Sequence, residues 1–167
     1  FYQRGRDASE RVKNRLAAIR IQLEDSAQLR SIGGKVALGK YAWERNADEK
    51  EADERDFDGR NCFHVKAGLK KGGDFRLPLA TGPGHYRLTG MVKTSSITAG
   101  KDESDKGLRL RISGLNGVPA LTGTNNWRTM SVEFSVAEAD PVLVLELRAA
   151  AGQAWFDRNS LTLTRIP

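Results

Sequence analysis

From Lys35 to Ile166 the apolar residues fall at every second position, and a chain patterned this way buries them as strands with one dry and one wet face. Phe63 and Val65 alternate with Cys62, His64 and Lys66, and Phe75, Leu77 and Leu79 alternate with Asp74, Arg76 and Pro78. The same period runs through Tyr86, Leu88 and Val92, then Leu108, Leu110 and Ile112. It continues through Met130, Val132, Phe134 and Val136, and through Leu143, Leu145 and Leu147. With a strand near Val36–Trp43 and a last one from about Gln153 to Ile166, the pattern predicts about eight strands. Gly-rich turns separate them at 71–73, 81–84, 113–117 and 123–126. No helix interrupts the series, so the fold class is mostly β, a two-sheet antiparallel sandwich. Its expected core is Phe63, Val65, Phe75, Leu77, Tyr86, Leu88, Leu110, Val132, Phe134, Leu145 and Leu161. The acidic stretch Glu44–Asp58 reads as a long solvated loop.

Ahead of the strands the period is helical. Val12, Leu16, Ile19 and Leu23 lie on one face of an amphipathic helix predicted over 6–30, with Asp7 or Ser9 as N-cap and Gly33-Gly34 as its end. A lone helix of this length is marginal in water. Its stripe is therefore expected to be buried on the sandwich, on a protein partner or on preceding helices. The chain divides into a helical segment, 1–33, which would end an upstream helical region, and a sandwich, 34–167.

Composition narrows the functional classes. Cys62 is the only cysteine, which excludes an internal disulfide and marks a structural thiol within an alternating strand. No apolar run approaches the ~20 residues of a membrane helix, so no membrane insertion is expected. The start at Phe1 without an initiator Met suggests a processed or excised fragment. The net charge of +6 permits acidic partners, among them uronic-acid polysaccharides and nucleic acid. Nucleic acid is disfavoured because the basic helix lacks interleaved aromatic residues and any recognised binding motif. Gly34–Lys40 imitates the start of a P-loop, but Tyr41 stands where a metal-binding Ser or Thr is needed, and the segment follows a helix. His64 and His85 have neither metal-ligand spacing nor a neighbouring nucleophile motif, so the chain reads as a non-enzyme.

Four segments carry a resemblance. The run Gly82-Pro83-Gly84-His85-Tyr86-Arg87-Leu88-Thr89-Gly90-Met91-Val92-Lys93-Thr94 resembles a strand of galactose-binding-like jelly rolls. Asn126-Trp127 followed by Val132-Glu133-Phe134, the ending Ala154-Trp155-Phe156-Asp157-Arg158-Asn159-Ser160-Leu161 and the turn Asp58-Gly59-Arg60 resemble three others, in the same order. The similarity is to carbohydrate-binding module families four and nine, and to domains that close bacterial tetratricopeptide-repeat proteins of exopolysaccharide systems. It implies that the two-sheet antiparallel sandwich is a jelly-roll sandwich, and that the chain is a non-catalytic polysaccharide-binding module of an extracytoplasmic protein, periplasmic or on the cell surface. The alternative is a structural or protein–protein interaction sandwich with no sugar site. The resemblance also implies a structural Ca²⁺ at Asp157, although Arg158-Asn159 departs from the usual second acid.

Sugars are held by aromatic faces and planar polar groups. Tyr86 falls in phase with the core, and the family position of Trp127 and the closing strand of Trp155 assign them to packing. Trp43 belongs to no apolar stripe, so Trp43 and Tyr41 are the stacking candidates. Arg109 and Arg111 leave one strand on its wet face and are the polar candidates, suited to the carboxylates of an acidic glycan. Arg76, Arg87, Lys93, Glu133 and Glu146 would extend a polar patch around them if their strands are neighbours.

Overall fold

The computed structural model describes residues 2–46, 51–68, 72–115 and 117–167. Part of the acidic stretch (47–50), Lys71 of one expected turn and Asn116 of another lie outside the described residues. Helix α1 spans Tyr2–Gln28, so it begins before both expected caps. Eleven strands follow. They are β1 (Lys35–Ala37), β2 (Glu44–Arg45), β3 (Ala52–Phe57), β4 (Arg60–Lys66), β5 (Gly72–Pro78), β6 (Gly84–Thr98), β7 (Gly107–Ile112), β8 (Gly123–Val136), β9 (Val142–Arg148), β10 (Ala151–Asp157) and β11 (Thr162–Ile166).

The strands make two antiparallel sheets, and the fold is a jelly-roll sandwich. Four form the order β2-β5-β9-β7. The other seven are organised on β6. One edge of β6 pairs along its length with β8, and the other is shared end to end by β11, at 85–89, and β10, at 92–98. Beyond β11 lies β1, and beyond β10 lie β4 and then β3.

The period-two phase set the core correctly. Ten of the eleven expected core residues are buried, and Val132 is half-buried against them. The expected acidic loop is in part ordered sheet: Glu44–Arg45 pairs with β5, and Ala52–Phe57 pairs with β4. Asp58 and Gly59 join β3 to β4 with φ of 51° and 70°, the left-handed pair that a tight hairpin turn requires. Asp53, Glu54 and Asp56 then put charge on an edge strand, which discourages pairing with other chains.

Among the described residues α1 docks through its C-terminal end and Leu29 just beyond it. Leu29 is fully buried, Ser26 donates to the Ala80 carbonyl at 2.6 Å, and Asp25 accepts from Lys40 at 2.9 Å and from the Tyr41 hydroxyl. The expectation that the aliphatic stripe lies on the sandwich fails. Val12, Leu16, Ile19 and Leu23 are exposed at 58, 61, 47 and 66%. The reason is angular, because at 3.6 residues per turn Asp25 and Leu29 lie about a third of a turn or more round the helix from that stripe.

Candidate functional site

On the solvent face of the four-stranded sheet, strand register builds a small grid of charge. Asp74, Glu146 and Arg109 lie side by side on β5, β9 and β7, and Arg76, Val144 and Arg111 form the next row. Their neighbours in each strand, such as Phe75, Leu145 and Leu110, point into the core, so the alternation that buries one set lifts the other outward. Glu146 is the centre of the grid. It is 3% exposed and accepts from Arg111 at 2.7 Å, with Arg148 at 3.6 Å. Asp74, equally buried, pairs with Arg76 at 3.3 Å. Buried carboxylates persist only where cations and hydrogen bonds compensate them, and here each has an arginine.

Arg109 is held differently. Its guanidinium donates to three backbone carbonyls, those of Val118 at 3.1 Å and of Ser104 and Glu103 at 3.3 Å. Among the described residues no carboxylate stands within ion-pair distance of it. Arg109 thereby ties the 103–106 turn and the 117–120 loop to the edge of β7. Between these walls and the sheet lies a cleft of about 750 Å³. Lys106, Arg109, Arg111 and Arg148 line it against Glu103 and Glu146, which leaves a cationic excess. The loop adds Val118 and Pro119 as an apolar wall. Such a cleft can hold an anionic, hydroxyl-rich ligand by charge-assisted hydrogen bonds.

The structure separates the four candidates proposed from sequence. Arg109 and Arg111 share the cleft. Tyr41 and Trp43 lie beside β2, at the opposite edge of the sheet, about 14 Å away at ordinary strand spacing. Trp43 is not a stacking platform: its ring is 7% exposed, tilts against Phe63 at 5.7 Å, and its Nε1 donates to the Leu38 carbonyl at 3.0 Å. Tyr41 is half-buried, and its hydroxyl donates to Asp25. Burial, reinforced by that carboxylate, raises the pKa of the Tyr41 phenol well above its ordinary value. Both residues fasten the chain between β1 and β2. Of the wider polar patch, Arg76 and Glu146 join the grid. Arg87 pairs instead with Glu133 on the seven-stranded sheet, where Lys93 also lies.

Trp127 departs from its expected place in the core. It is half-buried on the solvent face of the seven-stranded sheet, with Nε1 donating to Asp58 at 3.2 Å and the Arg60 guanidinium 4.4 Å from its ring centre. Phe57 stacks in parallel on Trp155 at 4.1 Å, which buries Trp155 outside the main core. Lys93 joins Asp58 at 2.7 Å. The phase of Met130, Val132 and Phe134 already pointed Trp127 outward.

At Asp157 the donor set does not fit a calcium ion. One carboxylate oxygen accepts from Arg60 at 2.8 Å and the other from the Asn159 N–H at 3.1 Å. The Gly39 and Tyr41 carbonyls and Glu54 nearby already accept from Arg158. No cluster of three metal-ligating side chains occurs among the described residues.

No family model matches the sequence, and no curated protein matches it. Similarity is found among solved structures. The chain is similar to TmCBM61, a carbohydrate-binding module solved with β-1,4-galactotriose, with a TM-score of 0.54 and 12% identity over 77% of this chain and 90% of that one. It is also similar to the apo form of BiXyn10A CBM1, with a TM-score of 0.50 and 13% identity over 81% of this chain and 99% of that one. At such identities the likeness is one of fold: the chain shares the jelly-roll architecture of carbohydrate-binding modules.

Proposed function

We propose that this chain is a non-catalytic polysaccharide-binding module, and that its ligand is an acidic glycan seated in the arginine cleft of the four-stranded sheet. The observation that carries this reading is the cleft itself, where four cationic side chains face two acidic ones, the cations being fixed by carbonyls and by Glu146. The jelly-roll likeness to a module solved with a galactotriose supports a carbohydrate as the ligand class. Arg109 and Arg111 sit two residues apart on one strand, roughly 6.6 Å, a spacing over which successive carboxylates of a polyuronate can be met. Such a module would serve an extracytoplasmic bacterial protein by holding it to polysaccharide. The competing reading, an interaction sandwich with no sugar site, is favoured by one observation: no aromatic ring lines the cleft among the described residues.

Calorimetric titration with polygalacturonate and with its methyl ester separates the two readings, because esterification removes the charge and keeps the backbone. The expected result is binding of the acid that weakens with salt, and weak or no binding of the ester. The exposed-side variants Arg109→Gln and Arg148→Gln should each lower affinity about tenfold, or ~1.4 kcal/mol. Absence of heat with acidic and neutral polymers alike would overturn the reading.

A further inference from the structure

Most of the exposed large hydrophobic side chains among the described residues lie on α1. Val12, Leu16, Ile19 and Leu23 are all close to half-exposed or more, and they recur at intervals of four, three and four residues. That is the 3.5-residue repeat of a helix–helix seam, in which alternate side chains seat between residues of a facing helix. Asp25 and Leu29 dock from another face, and Ser26, the next seam position after Leu23, meets the Ala80 carbonyl, so the seam is uncovered from Val12 to Leu23.

Charge decides what covers it. At 3.6 residues per turn, Lys13 and Arg20 border one side of the seam and Arg11 and Arg15 the other, and all four are exposed. Asp7 and Glu10 fall on the back of the helix. Glu24, the one acid near the border, is paired to Arg20 at 3.1 Å. Residues that border a seam face their counterparts across it and set partner choice. A second copy of this helix would bring basic flank against basic flank whether the two ran parallel or antiparallel. Like charges at that separation disfavour pairing, whereas acidic flanks would complement it.

We infer that the exposed stripe of α1 is the docking seam for an amphipathic helix whose own apolar stripe is bordered by acidic residues. The site is separate from the arginine cleft, so the inference stands or falls independently of the sugar ligand. Two synthetic peptides test it. Both carry the same leucine heptad seam, one with Glu and the other with Lys at every bordering position, and each is titrated against the full chain by fluorescence anisotropy. The Glu peptide should bind at least tenfold more tightly than the Lys peptide in low salt, with the gap narrowing as salt rises. The double variant Leu16→Ser/Ile19→Ser should abolish that binding. Both side chains are exposed, so the melting temperature of the sandwich should not move. Equal affinity for the two peptides, binding of neither, or self-association of the chain that Leu16→Ser reverses would each overturn the inference.

Discussion

Replacing Arg111 by Met tests whether the charge grid is a coupled unit. The Glu146 side chain is 4% exposed and that of Arg111 18%, so the pair is shielded from water on both sides, and more so at the acid. Removing one partner of a buried pair costs ~3–5 kcal/mol, chiefly because the other is left uncompensated. Arg148, at 3.6 Å, still offsets part of the Glu146 charge, which sets the expectation for Arg111→Met at about 3 kcal/mol. In a chain of this size that lowers the melting temperature by roughly 6–12 °C. The reverse change, Glu146→Leu, strands the more exposed partner, whose guanidinium can reach water along its flexible stem. It should cost less, about 1–2 kcal/mol. The double variant Arg111→Met/Glu146→Leu removes one charge of each sign and should lie within about 1 kcal/mol of the parent, recovering about 3 kcal/mol of the single losses. Urea denaturation of the four proteins of the cycle, fitted with a common m-value, measures each term. Simple additivity, or a larger loss from the acid than from the arginine, would refute the account of the grid as a pair dominated by the desolvation of Glu146.

Three other outcomes follow from described contacts. Burial, aided by the Asp157 carboxylate, pushes the Cys62 thiol up to about 11. A thiol reagent at pH 8 should therefore label the native chain far more slowly than the chain in urea. Asp53 is pulled below the usual carboxylate value: burial opposes the shift, and hydrogen bonds from Arg55 and His64 outweigh it. A depressed folded pKa contributes stability above the unfolded value of about 3.9 and loses it as pH falls through the folded one, so Asp53→Asn should flatten the acid limb of the stability–pH curve. At Asp157, excess chelator followed by excess Ca²⁺ should leave the melting curve unchanged, whereas Asp157→Ala should lower it through loss of the Arg60 and Asn159 contacts.

Period-two alternation carried most of the architecture, because a one-residue slip would turn every side chain of a strand to the wrong face. It failed where phase is undefined. Trp43 stands in the short connection before β2, with no alternating run to assign it a side, and only the Leu38 carbonyl and the Phe63 ring reveal that it is buried. Trp127 shows the opposite error. Its family position suggested packing, although its own strand turned it outward, next to a register shift between β6 and β8. Arg109 and Arg111 were legible as wet-face residues, but Glu146 and Arg148 join them only through long-range pairing of β7 with β9. The roof over the cleft comes from a loop whose position the sequence does not encode in any period.

Strand β1 pairs with β11, so Val36 meets Leu163 at the close of the sandwich. These partners lie roughly 127 residues apart, which at ~5–20 residues per second of synthesis means an interval of about 6–25 s between their appearances. Until its end β6, once made, lacks the neighbour that Tyr86 and Leu88 need, and the Gly33 N–H lacks the Arg165 carbonyl that accepts from it. The buried turn at Leu29 has no finished surface to settle on. Completion of this jelly roll thus waits on the synthesis of β11. A chain halted before Thr162 would leave β1 without the strand it pairs with, while the Ser26 and Asp25 contacts alone held the helix.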